Sequence, residues 1–203
     1  MMPALLFVVA YVLGAIPFGY LIVRVKTGQD VREFGSGNIG ATNVLRTTGR
    51  GPAIATLLLD VAKGLVAVWL MDRFGGADPY QVWKSAAALA VMAGHAFPIF
   101  LKFRGGKAVA TFIGAFLYLT PVPLIAVLIV FAVTVAVSRY ISLGSIAAAG
   151  TFPLGVWLIL HPAPPVWIAA LIAGAFIVYR HRANIERIRA GNENVFSFHV
   201  KRS

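Results

Sequence analysis

Long apolar segments alternate with short polar ones along the chain, and this alternation predicts membrane-spanning helices. An apolar run of about 20 residues is long enough to cross the hydrocarbon core of a bilayer as an α-helix. Runs near that length cover 3–24, 53–71, 80–100, 122–138, 142–160 and 163–180. A shorter run at 108–120 precedes Pro121 and Pro123 and predicts either a short or tilted span or a re-entrant segment. The pattern therefore predicts an all-α membrane protein.

The composition agrees with lipid as the main solvent. Of the 203 residues, 59% are hydrophobic and 12% are charged, whereas a soluble domain typically carries about 25% charged residues. The chain has no cysteine, which excludes disulfides and thiolate metal ligands. A net charge of +11 would suggest nucleic-acid binding in a soluble protein, but no basic stripe lies on a predicted soluble domain. No nucleic-acid partner is therefore expected.

The positions of the basic residues predict the orientation and the number of spans. Lysine and arginine collect in cytoplasmic loops of membrane proteins. With the N-terminus outside and 108–120 counted as a span, all but three of the 18 basic residues fall on the cytoplasmic side. The exceptions are Arg73 in an outer connection and Lys63 and Lys84 within spans. Without that short span, Arg139 and the whole C-terminal tail would lie outside. The sequence thus predicts seven transmembrane helices, with the N-terminus outside and the C-terminus cytoplasmic.

The ends and the interior of the chain favour a single domain. The first apolar run follows Met1, Met2 and Pro3, and it has neither the basic start nor the small-residue cleavage site of a signal peptide. The sequence contains no internal repeat and no low-complexity linker. We therefore predict one integral-membrane domain over 1–203.

The loop 35–43 (GSGNIGATN) has the composition of an anion-binding site. Its glycines let backbone N–H groups turn toward an anion without a Cβ atom in the way. Neutral hydrogen-bonding side chains come from Ser36, Asn38, Thr42 and Asn43. Arg46 adds a guanidinium suited to phosphate, and a helix beginning near Ala41 or Thr42 would point its first N–H groups at the anion. The loop lacks the Gly-Lys-Ser/Thr ending of a Walker A loop. An ordinary flexible loop is the alternative.

A second candidate connects two predicted spans through residues 94–98 (GHAFP) and 103–107 (FRGGK). Gly105 and Gly106 beside Lys107 can place backbone donors and an ammonium group around one phosphate. The alternative is an ordinary basic flank of a span, which explains the charges better than it explains the two glycines. Considered alone, His95 is predicted to be a packed histidine rather than a catalyst.

The third candidate is the start of the C-terminal tail, residues 181–189 (HRANIERIR). If this segment is helical, His181, Asn184 and Ile188 lie near one face. Ser145, near the cytoplasmic start of another span, is a polar group close to the same membrane surface. The alternative to a role in the polar site is an amphipathic helix that lies on anionic lipid, and one segment can have both roles.

Asp60 and Lys63 are charged positions within one predicted span. Their i, i+3 spacing allows the two side chains to pair, and ionisable groups inside a membrane are functional by default. A structural pair that ties helices together is nearly as good an interpretation. No group of His, Asp and Glu has the spacing of metal ligands, so no metal is predicted, and neither His161 nor His199 is assigned a role.

Taken together, the motifs resemble those of the bacterial acyl-phosphate-dependent glycerol-3-phosphate acyltransferases, the PlsY family. The residues that carry the resemblance are 35–44 (GSGNIGATNV), 94–111 (GHAFPIFLKFRGGKAVAT) and 181–193 (HRANIERIRAGNE). Their order and spacing, the chain length and the number of spans also fit, so the resemblance covers nearly the whole chain. One departure is Ala108, where the family pattern usually has glycine after the lysine. A methyl group there narrows the conformations open to the loop.

The resemblance implies transfer of an acyl group from acyl phosphate to the 1-hydroxyl of glycerol 3-phosphate, without a cofactor. The products are lysophosphatidic acid and phosphate, in the first acylation step of phospholipid biosynthesis. It implies a multi-pass protein of the bacterial cytoplasmic (inner) membrane, with active-site loops near 25–52, 101–110, 139–145 and 181–193 facing the cytoplasm. The expected partners are these two substrates and membrane lipid, with a possible contact to the enzyme that produces acyl phosphate.

By the same resemblance, the expected acyl-phosphate ligands are Ser36, Gly37, Asn38, Gly40, Thr42 and Asn43. The expected glycerol 3-phosphate ligands are Arg46, Lys107, Ser145, His181 and Asn184. Ser36, Asn38, Lys107 and His181 are the expected catalytic residues. The group that accepts the proton stays open between His95, His181 and the donor's own phosphate, and the phosphate is slightly favoured.

Three other functions are open on the sequence alone. A small transporter of a phosphorylated or anionic solute would suit Asp60 and Lys63, but transporters often contain internal repeats. A non-catalytic lipid-anchored scaffold would tolerate alanine in its polar loops. An acyltransferase that uses acyl-CoA or acyl carrier protein would usually present a His-(x)4-Asp pair, whereas the residues four and five beyond His95 are Ile99 and Phe100. The residues four and five beyond His181 are Ile185 and Glu186, which resemble that pair only loosely.

Overall fold

The computed structural model describes residues 1–196, and this part of the chain is helical without any strand. Its α-helices are α1 (Met2–Ala15), α2 (Phe18–Thr27), α3 (Ala41–Thr48), α4 (Arg50–Phe74), α5 (Val82–Ala96), α6 (Val109–Leu119), α7 (Pro121–Ser138), α8 (Ile141–Leu160), α9 (Pro164–Arg180) and α10 (Arg182–Arg189). Two short 3-10 helices lie at Val31–Glu33 and Ile99–Leu101. Of the predicted cytoplasmic tail, His199, Lys201 and Arg202 lie outside the described residues.

The long apolar runs form helices of membrane-spanning length. Within residues 1–196 the helical segments long and apolar enough to cross a bilayer are five: Met2–Thr27, Arg50–Phe74, Val82–Leu101, Pro121–Ser138 and Ile141–Leu160. The pair α9 and α10, which is bent by 52°, makes a sixth if it is counted as one span. The predicted helical, multi-pass architecture is therefore confirmed.

The short run predicted at 108–120 forms α6, which has only 11 residues. A helix of that length rises about 16 Å, roughly half the thickness of the hydrocarbon core of a bilayer. The count of seven spans depends on this helix, and so does the placement of the two termini on opposite sides. Both stay predictions.

The first predicted span consists of two helices rather than one. Helix α1 ends at Ala15 and α2 begins at Phe18, with Ile16 and Pro17 between them. Proline has no N–H group and its ring clashes with a preceding helical turn, so it interrupts the helical hydrogen bonds. Membrane helices tolerate such a break where neighbouring groups satisfy the freed backbone. Hydrophobicity alone does not reveal the break, because the residues on both sides of it are apolar.

The helices form two compact units, Met1–Leu119 and Thr120–Ser203. In the first unit, α1 packs on α5 and α4, and α4 packs on α5 and α6. In the second unit, α8 lies between α7 and α9. The prediction of a single domain over 1–203 stays a prediction.

Candidate active site

The loop 35–44 is shaped by two glycines in the left-handed region of backbone conformation. Gly35 has φ +59° and Gly37 has φ +67°, values that a side chain with a Cβ atom adopts only at a cost. Asn38 continues the turn, because its Oδ1 accepts the N–H of Gly40 at 2.8 Å. The sequence pattern of small and amide residues thus produces a tightly turned loop rather than an open one.

The buried side chain of Asn43 holds this loop together through hydrogen bonds to its backbone. This side chain is 1% exposed, and its Oδ1 accepts the backbone N–H of Ser36 at 2.8 Å. Its Nδ2 lies 2.9–3.1 Å from three carbonyl oxygens, those of Val31 and Phe34 before the loop and of Asn38 within it. Both the oxygen and the nitrogen of the Asn43 amide are therefore engaged by backbone groups of the protein. The structure gives this residue an ordering role that the sequence did not indicate.

Helix α3 begins within the motif 35–44, at Ala41, as the sequence predicts. Gly40 is its N-cap and Ala41 its first residue, and the first N–H groups of a helix have no partner within that helix. Ser36 and Gly37 are exposed, and Thr42 is half-buried. Arg46 lies one turn after Thr42 on the same helix face and is also exposed.

The N–H groups of Ser36, Gly37 and Gly40 donate within the protein, to Asn43 Oδ1, the Phe34 carbonyl and Asn38 Oδ1. The expectation that the N–H groups of Gly37 and Gly40 turn toward an anion is therefore wrong, and the exposed donors of the segment are the side chains of Ser36 and Arg46.

A small apolar core fixes the loop to the helices of the first unit. Ile39, in the middle of the loop, is 2% exposed. It belongs to a cluster of buried side chains made of Val23, Val31, Ile39, Val44, Ala53 and Leu101. The apolar residue inside an otherwise polar motif therefore anchors the loop, while Ser36 stays exposed.

Arg32 in the same connection has a structural partner. It forms an ion pair with Asp30 at 2.6 Å, and its guanidinium lies 5.3 Å from the centre of the Tyr20 ring. The hydrogen bonds from Arg32 hold the pKa of Asp30 below its ordinary value. These contacts hold the Arg32 side chain against Asp30 and Tyr20, in the connection after α2.

The second candidate loop differs from the sequence expectation at its two glycines. The N–H groups of Gly105 and Gly106 donate to the carbonyls of Ala96 and His95 at 3.2 and 3.1 Å. A Cβ on Gly106 would overlap the imidazole Nε2 of His95. These N–H groups are therefore engaged within the protein, and the expectation that they surround a phosphate is wrong. The glycines are required by close packing against the end of α5.

Lys107 follows this packed pair and is half-buried. Ala108 comes next, with φ +62° and 1% exposure. A left-handed conformation is one that glycine adopts readily and alanine does not. The departure from the family pattern at this position thus falls on a residue whose backbone conformation favours glycine.

Asp60 and Lys63 form the ion pair expected from their spacing. Lys63 Nζ lies 2.7 Å from Asp60 Oδ1, and both side chains are buried. His95 Nδ1 lies 3.5 Å from the same carboxylate oxygen, which the sequence did not indicate. His95 is 3% exposed and therefore packed, as expected; that it is not a catalyst stays a prediction.

In the second unit, His181 is placed at the bend between α9 and α10. It ends α9 and is the N-cap of α10. Its Nδ1 lies 2.8 Å from the carbonyl oxygen of Ile177. A carbonyl only accepts hydrogen bonds, so Nδ1 carries a proton and Nε2 is the other functional nitrogen. The helix end therefore fixes the orientation of the ring, and Nε2 donates to a phosphate oxygen only when the ring carries both protons.

Glu193 organises the tail, although sequence reasoning gave it no role. Its carboxylate accepts hydrogen bonds from Ser142 Oγ at 3.0 Å, Asn184 Nδ2 at 2.9 Å and Arg187 Nε at 2.8 Å. Burial raises the pKa of Glu193, but the bonds from Asn184, Arg187 and Ser142 outweigh burial and leave this pKa below its ordinary value. In the sequence, Glu193 stands out only as an acidic residue within a basic tail.

Ser145 lies one turn after Ser142 on α8 and is 5% exposed. Its hydroxyl donates to the carbonyl of Ile141 at 3.0 Å, which leaves the oxygen lone pairs as acceptors. The tail returns to the start of α8, where the N–H of Phe196 donates to the carbonyl of Arg139 at 2.7 Å. The tail segment 181–196 is thus tied to the beginning of α8.

Comparisons with known proteins agree with the motifs. The family model for glycerol-3-phosphate acyltransferase matches residues 4–191. A glycerol-3-phosphate acyltransferase of Geobacter sulfurreducens is 48% identical over 188 residues, covering 93% of this chain and 94% of that protein. The enzyme of the same name from Gloeobacter violaceus is 46% identical, covering 91% of this chain and 90% of that protein.

Two solved structures are similar over almost the full length. A crystal structure of PlsY (YgiH), an integral membrane glycerol 3-phosphate acyltransferase in its glycerol 3-phosphate form, is 36% identical with a TM-score of 0.90. It covers 96% of each chain. The lysophosphatidic acid form is 34% identical with a TM-score of 0.86, and it covers 97% of this chain and 96% of that one.

Proposed function

Because the chain belongs to the PlsY family of glycerol-3-phosphate acyltransferases, we propose that it transfers an acyl group from acyl phosphate to the 1-hydroxyl of glycerol 3-phosphate. The products are lysophosphatidic acid and inorganic phosphate, in the first acylation step of phospholipid biosynthesis. The observation that carries the proposal is the loop 35–44, whose turned glycines are held by the buried amide of Asn43. On this ordered segment and the rest of α3, the exposed side chains of Ser36 and Arg46 are suited to a phosphorylated substrate.

The donor phosphate is bound by the loop and the first turn of α3. The proposed ligands are Ser36, Asn38 and Thr42, through their side chains. Gly37 and Gly40 were also expected, but their N–H groups donate to the Phe34 carbonyl and to Asn38 Oδ1, so we assign these glycines the shape of the turn. Asn43 was expected among the ligands as well, but its amide is engaged by the loop backbone, so we assign it the ordering of the loop instead. The positive end of α3 and the N–H groups of its first turn stabilise the negative charge of the phosphate.

Glycerol 3-phosphate is bound by Arg46, Lys107, Ser145, His181 and Asn184. The guanidinium of Arg46 can bind two phosphate oxygens, and the ammonium of Lys107 acts as a point charge. Asn184 is held by Glu193, and the ring of His181 is held by Ile177. These contacts fix two polar side chains in advance of binding, which lowers the ordering cost of binding.

Acyl phosphate is a mixed anhydride with a good leaving group, so the chemistry needs no covalent acyl-enzyme. The 1-hydroxyl oxygen attacks the acyl carbonyl, a new ester bond forms, and the bond from the acyl carbon to the phosphate oxygen breaks. The hydroxyl proton passes to the departing phosphate. Ser36, Asn38, Lys107 and His181 align the two substrates and stabilise the charge that develops in the transition state.

We propose that His181 binds the acceptor phosphate as an imidazolium, with Nδ1 donating to Ile177 and Nε2 to the phosphate, rather than removing the proton. We expect His181→Ala and His181→Asn to raise the KM for glycerol 3-phosphate more than they lower kcat. Initial rates at varied acceptor concentration, with saturating donor, separate the two effects. Loss of turnover with an unchanged acceptor KM would contradict the binding role.

The protein is placed in the bacterial cytoplasmic membrane as seven spans, with its N-terminus outside and its active-site loops in the cytoplasm. The short helix α6 supplies the span that brings the C-terminal tail to the cytoplasmic side. This placement gives both water-soluble substrate groups access to the site and lets the product enter the bilayer directly. Neither a cofactor nor a metal is part of the proposal, and contact with the enzyme that produces acyl phosphate stays a further expectation.

A transporter is a weaker second candidate, because the buried charges that would suit it have other contacts. Lys63 pairs with Asp60 and donates to the carbonyl of Ile16. An acyltransferase of the acyl-CoA type also fits poorly. Its catalytic histidine would need a carboxylate partner, whereas Nδ1 of His181 bonds to a carbonyl and Glu186 is exposed. His95 does have Asp60 beside it, but it is buried and its other ring edge packs against Gly106.

A comparison of three donors tests the proposal. Purified protein in detergent is supplied with glycerol 3-phosphate and with acyl phosphate, acyl-CoA or acyl carrier protein thioester of the same chain length. We expect lysophosphatidic acid from acyl phosphate alone. Equal product from a thioester donor would overturn the donor assignment, and no product from any donor would favour a transporter.

A further inference from the structure

A buried cluster of ionisable side chains connects the first span to the loop that carries Lys107. Asp60 lies 2.7 Å from Lys63 and 3.5 Å from His95, and none of the three residues is more than 5% exposed. Burying ions costs several kcal/mol each, and a buried pair is often no more stable than apolar residues of the same volume. Stability alone therefore does not explain why the cluster is there.

Lys63 contacts the break between α1 and α2 in the first span. Its Nζ donates to the carbonyl of Ile16 at 2.9 Å, where Pro17 interrupts the helical hydrogen bonds. Its ammonium also lies 5.5 Å from the centre of the Phe18 ring. No water is present in the bilayer core to satisfy such a carbonyl, so a neighbouring helix supplies the donor. Asp60 is then the counter-ion of Lys63 and also the link to α5.

His95 supports the second loop. One edge of its ring faces Asp60 through Nδ1. The other edge packs against Gly106 so closely that no Cβ fits there. The N–H of Gly106 also donates to the backbone carbonyl of His95. The imidazole is therefore the surface on which the backbone immediately before Lys107 rests.

We propose that Asp60 and His95 are positioning residues that set the location of Lys107 for binding glycerol 3-phosphate. The inference rests on the proposed role of Lys107 as a ligand of that substrate. Asp60 fixes the tilt of the imidazole, the imidazole fixes Gly106, and Gly106 is joined directly to Lys107. Small displacements of a substrate-binding group reduce catalysis strongly, by about a hundredfold for about 1 Å.

Steady-state kinetics of His95→Gln test the proposal, with Ser85→Ala as the matched control. Ser85 lies on the same helix and is equally buried at 4% exposure. We expect His95→Gln to raise the KM for glycerol 3-phosphate about tenfold, equivalent to about 1.4 kcal/mol. The KM for acyl phosphate should change less than about twofold, because the first loop has its own anchor. Ser85→Ala should change neither KM.

The role of Asp60 needs two variants, because removing it leaves Lys63 as an uncompensated buried charge. Asp60→Asn is measured together with Asp60→Asn/Lys63→Met, in which both charges are removed. In the variant that keeps a folded monodisperse peak on size exclusion, we expect the same selective rise in acceptor KM. A folded variant with both KM values unchanged would refute the role of Asp60.

A double-mutant cycle separates action through Lys107 from a general loss of stability. If His95 acts through Lys107, adding His95→Gln to Lys107→Ala should not weaken glycerol 3-phosphate binding further, as measured by the Kd from equilibrium binding, which does not depend on turnover. Additive effects of the two changes would overturn the proposal, as would a His95→Gln enzyme with lower active fraction but normal KM values. A wild-type protein without acyl transfer from acyl phosphate would instead refute the proposed function.

Discussion

The buried amide of Asn43 determines whether the donor loop keeps its shape. Asn43→Asp preserves the size of the side chain but replaces the Nδ2 donor with an acceptor that faces the carbonyls of Val31, Phe34 and Asn38. A buried polar group left without its partner costs about 1–3 kcal/mol. We expect the midpoint of thermal unfolding in detergent to fall by about 5 °C, with a raised KM for the donor.

The exposed Asn192 provides the control for this substitution. Asn192→Asp makes the same chemical change on the surface, where solvent satisfies the new oxygen, so both the midpoint and the donor KM should stay at wild-type values. Equal effects of the two substitutions would contradict the ordering role of Asn43.

Glu193 makes the stability of the tail depend on pH. Its pKa in the folded protein lies below the ordinary 4.5, so its contribution is complete above that value and is lost as the pH falls through the folded pKa. We expect the thermal midpoint of the wild type to fall more than that of Glu193→Gln between neutral pH and a pH well below 4.5. Parallel losses in the two proteins would contradict the assignment. Glu186→Gln, an exposed change on α10, should behave as wild type.

At the scale of single residues, the sequence predicted which segments carry the site but not which side chains build it. Asn43 and Glu193 both lie within the motifs, yet the chemistry of an amide or a carboxylate does not reveal whether it faces a ligand or the protein. Asn43 turns inward because Ile39 and Val44 anchor the loop on both sides of it. Glu193 is buried because the tail folds back onto α8, a contact between residues far apart in sequence.

At the scale of elements, the second loop depends on its contact with the end of α5. Gly106→Ala places a methyl group on the imidazole of His95, so we expect a displaced loop and a strong loss of acyl transfer. A left-handed conformation costs a non-glycine residue about 1–2 kcal/mol, and a buried methyl group returns about 0.8 kcal/mol. Ala108→Gly should therefore keep or slightly raise the thermal midpoint.

Thermal unfolding and initial rates of the two variants are measured side by side. The thermal midpoint of Ala108→Gly should be at or above that of wild type. The initial rate of Gly106→Ala should be well below that of wild type. A Gly106→Ala enzyme with normal rates would show that the loop does not need its close packing against α5.

Hydrophobic runs predicted the helices to within a few residues, because lipid requires every span to be both apolar and helical. The interruption at Ile16 and Pro17 was missed because a proline in a membrane helix can be accommodated by its neighbours. The engagement of the Gly105 and Gly106 N–H groups was missed for a related reason. A glycine pair has the same appearance in sequence whether it approaches a phosphate or a neighbouring helix.

At the scale of the whole molecule, the predicted topology can be tested by labelling single cysteines. The chain contains no cysteine, so Gln29→Cys, Ala77→Cys and Ala190→Cys each introduce one reactive thiol at an exposed position. With seven spans, an impermeant maleimide added to intact cells should label only Ala77→Cys. Labelling of Ala190→Cys from outside would mean that α6 does not cross the membrane.

We propose that this membrane protein transfers the acyl group directly from acyl phosphate to glycerol 3-phosphate. Purified protein in detergent should release one phosphate from acyl phosphate for each lysophosphatidic acid formed, and only when glycerol 3-phosphate is present. Lys107→Ala should abolish most of both products together. Phosphate release without glycerol 3-phosphate, or lysophosphatidic acid without matching phosphate, would contradict the account.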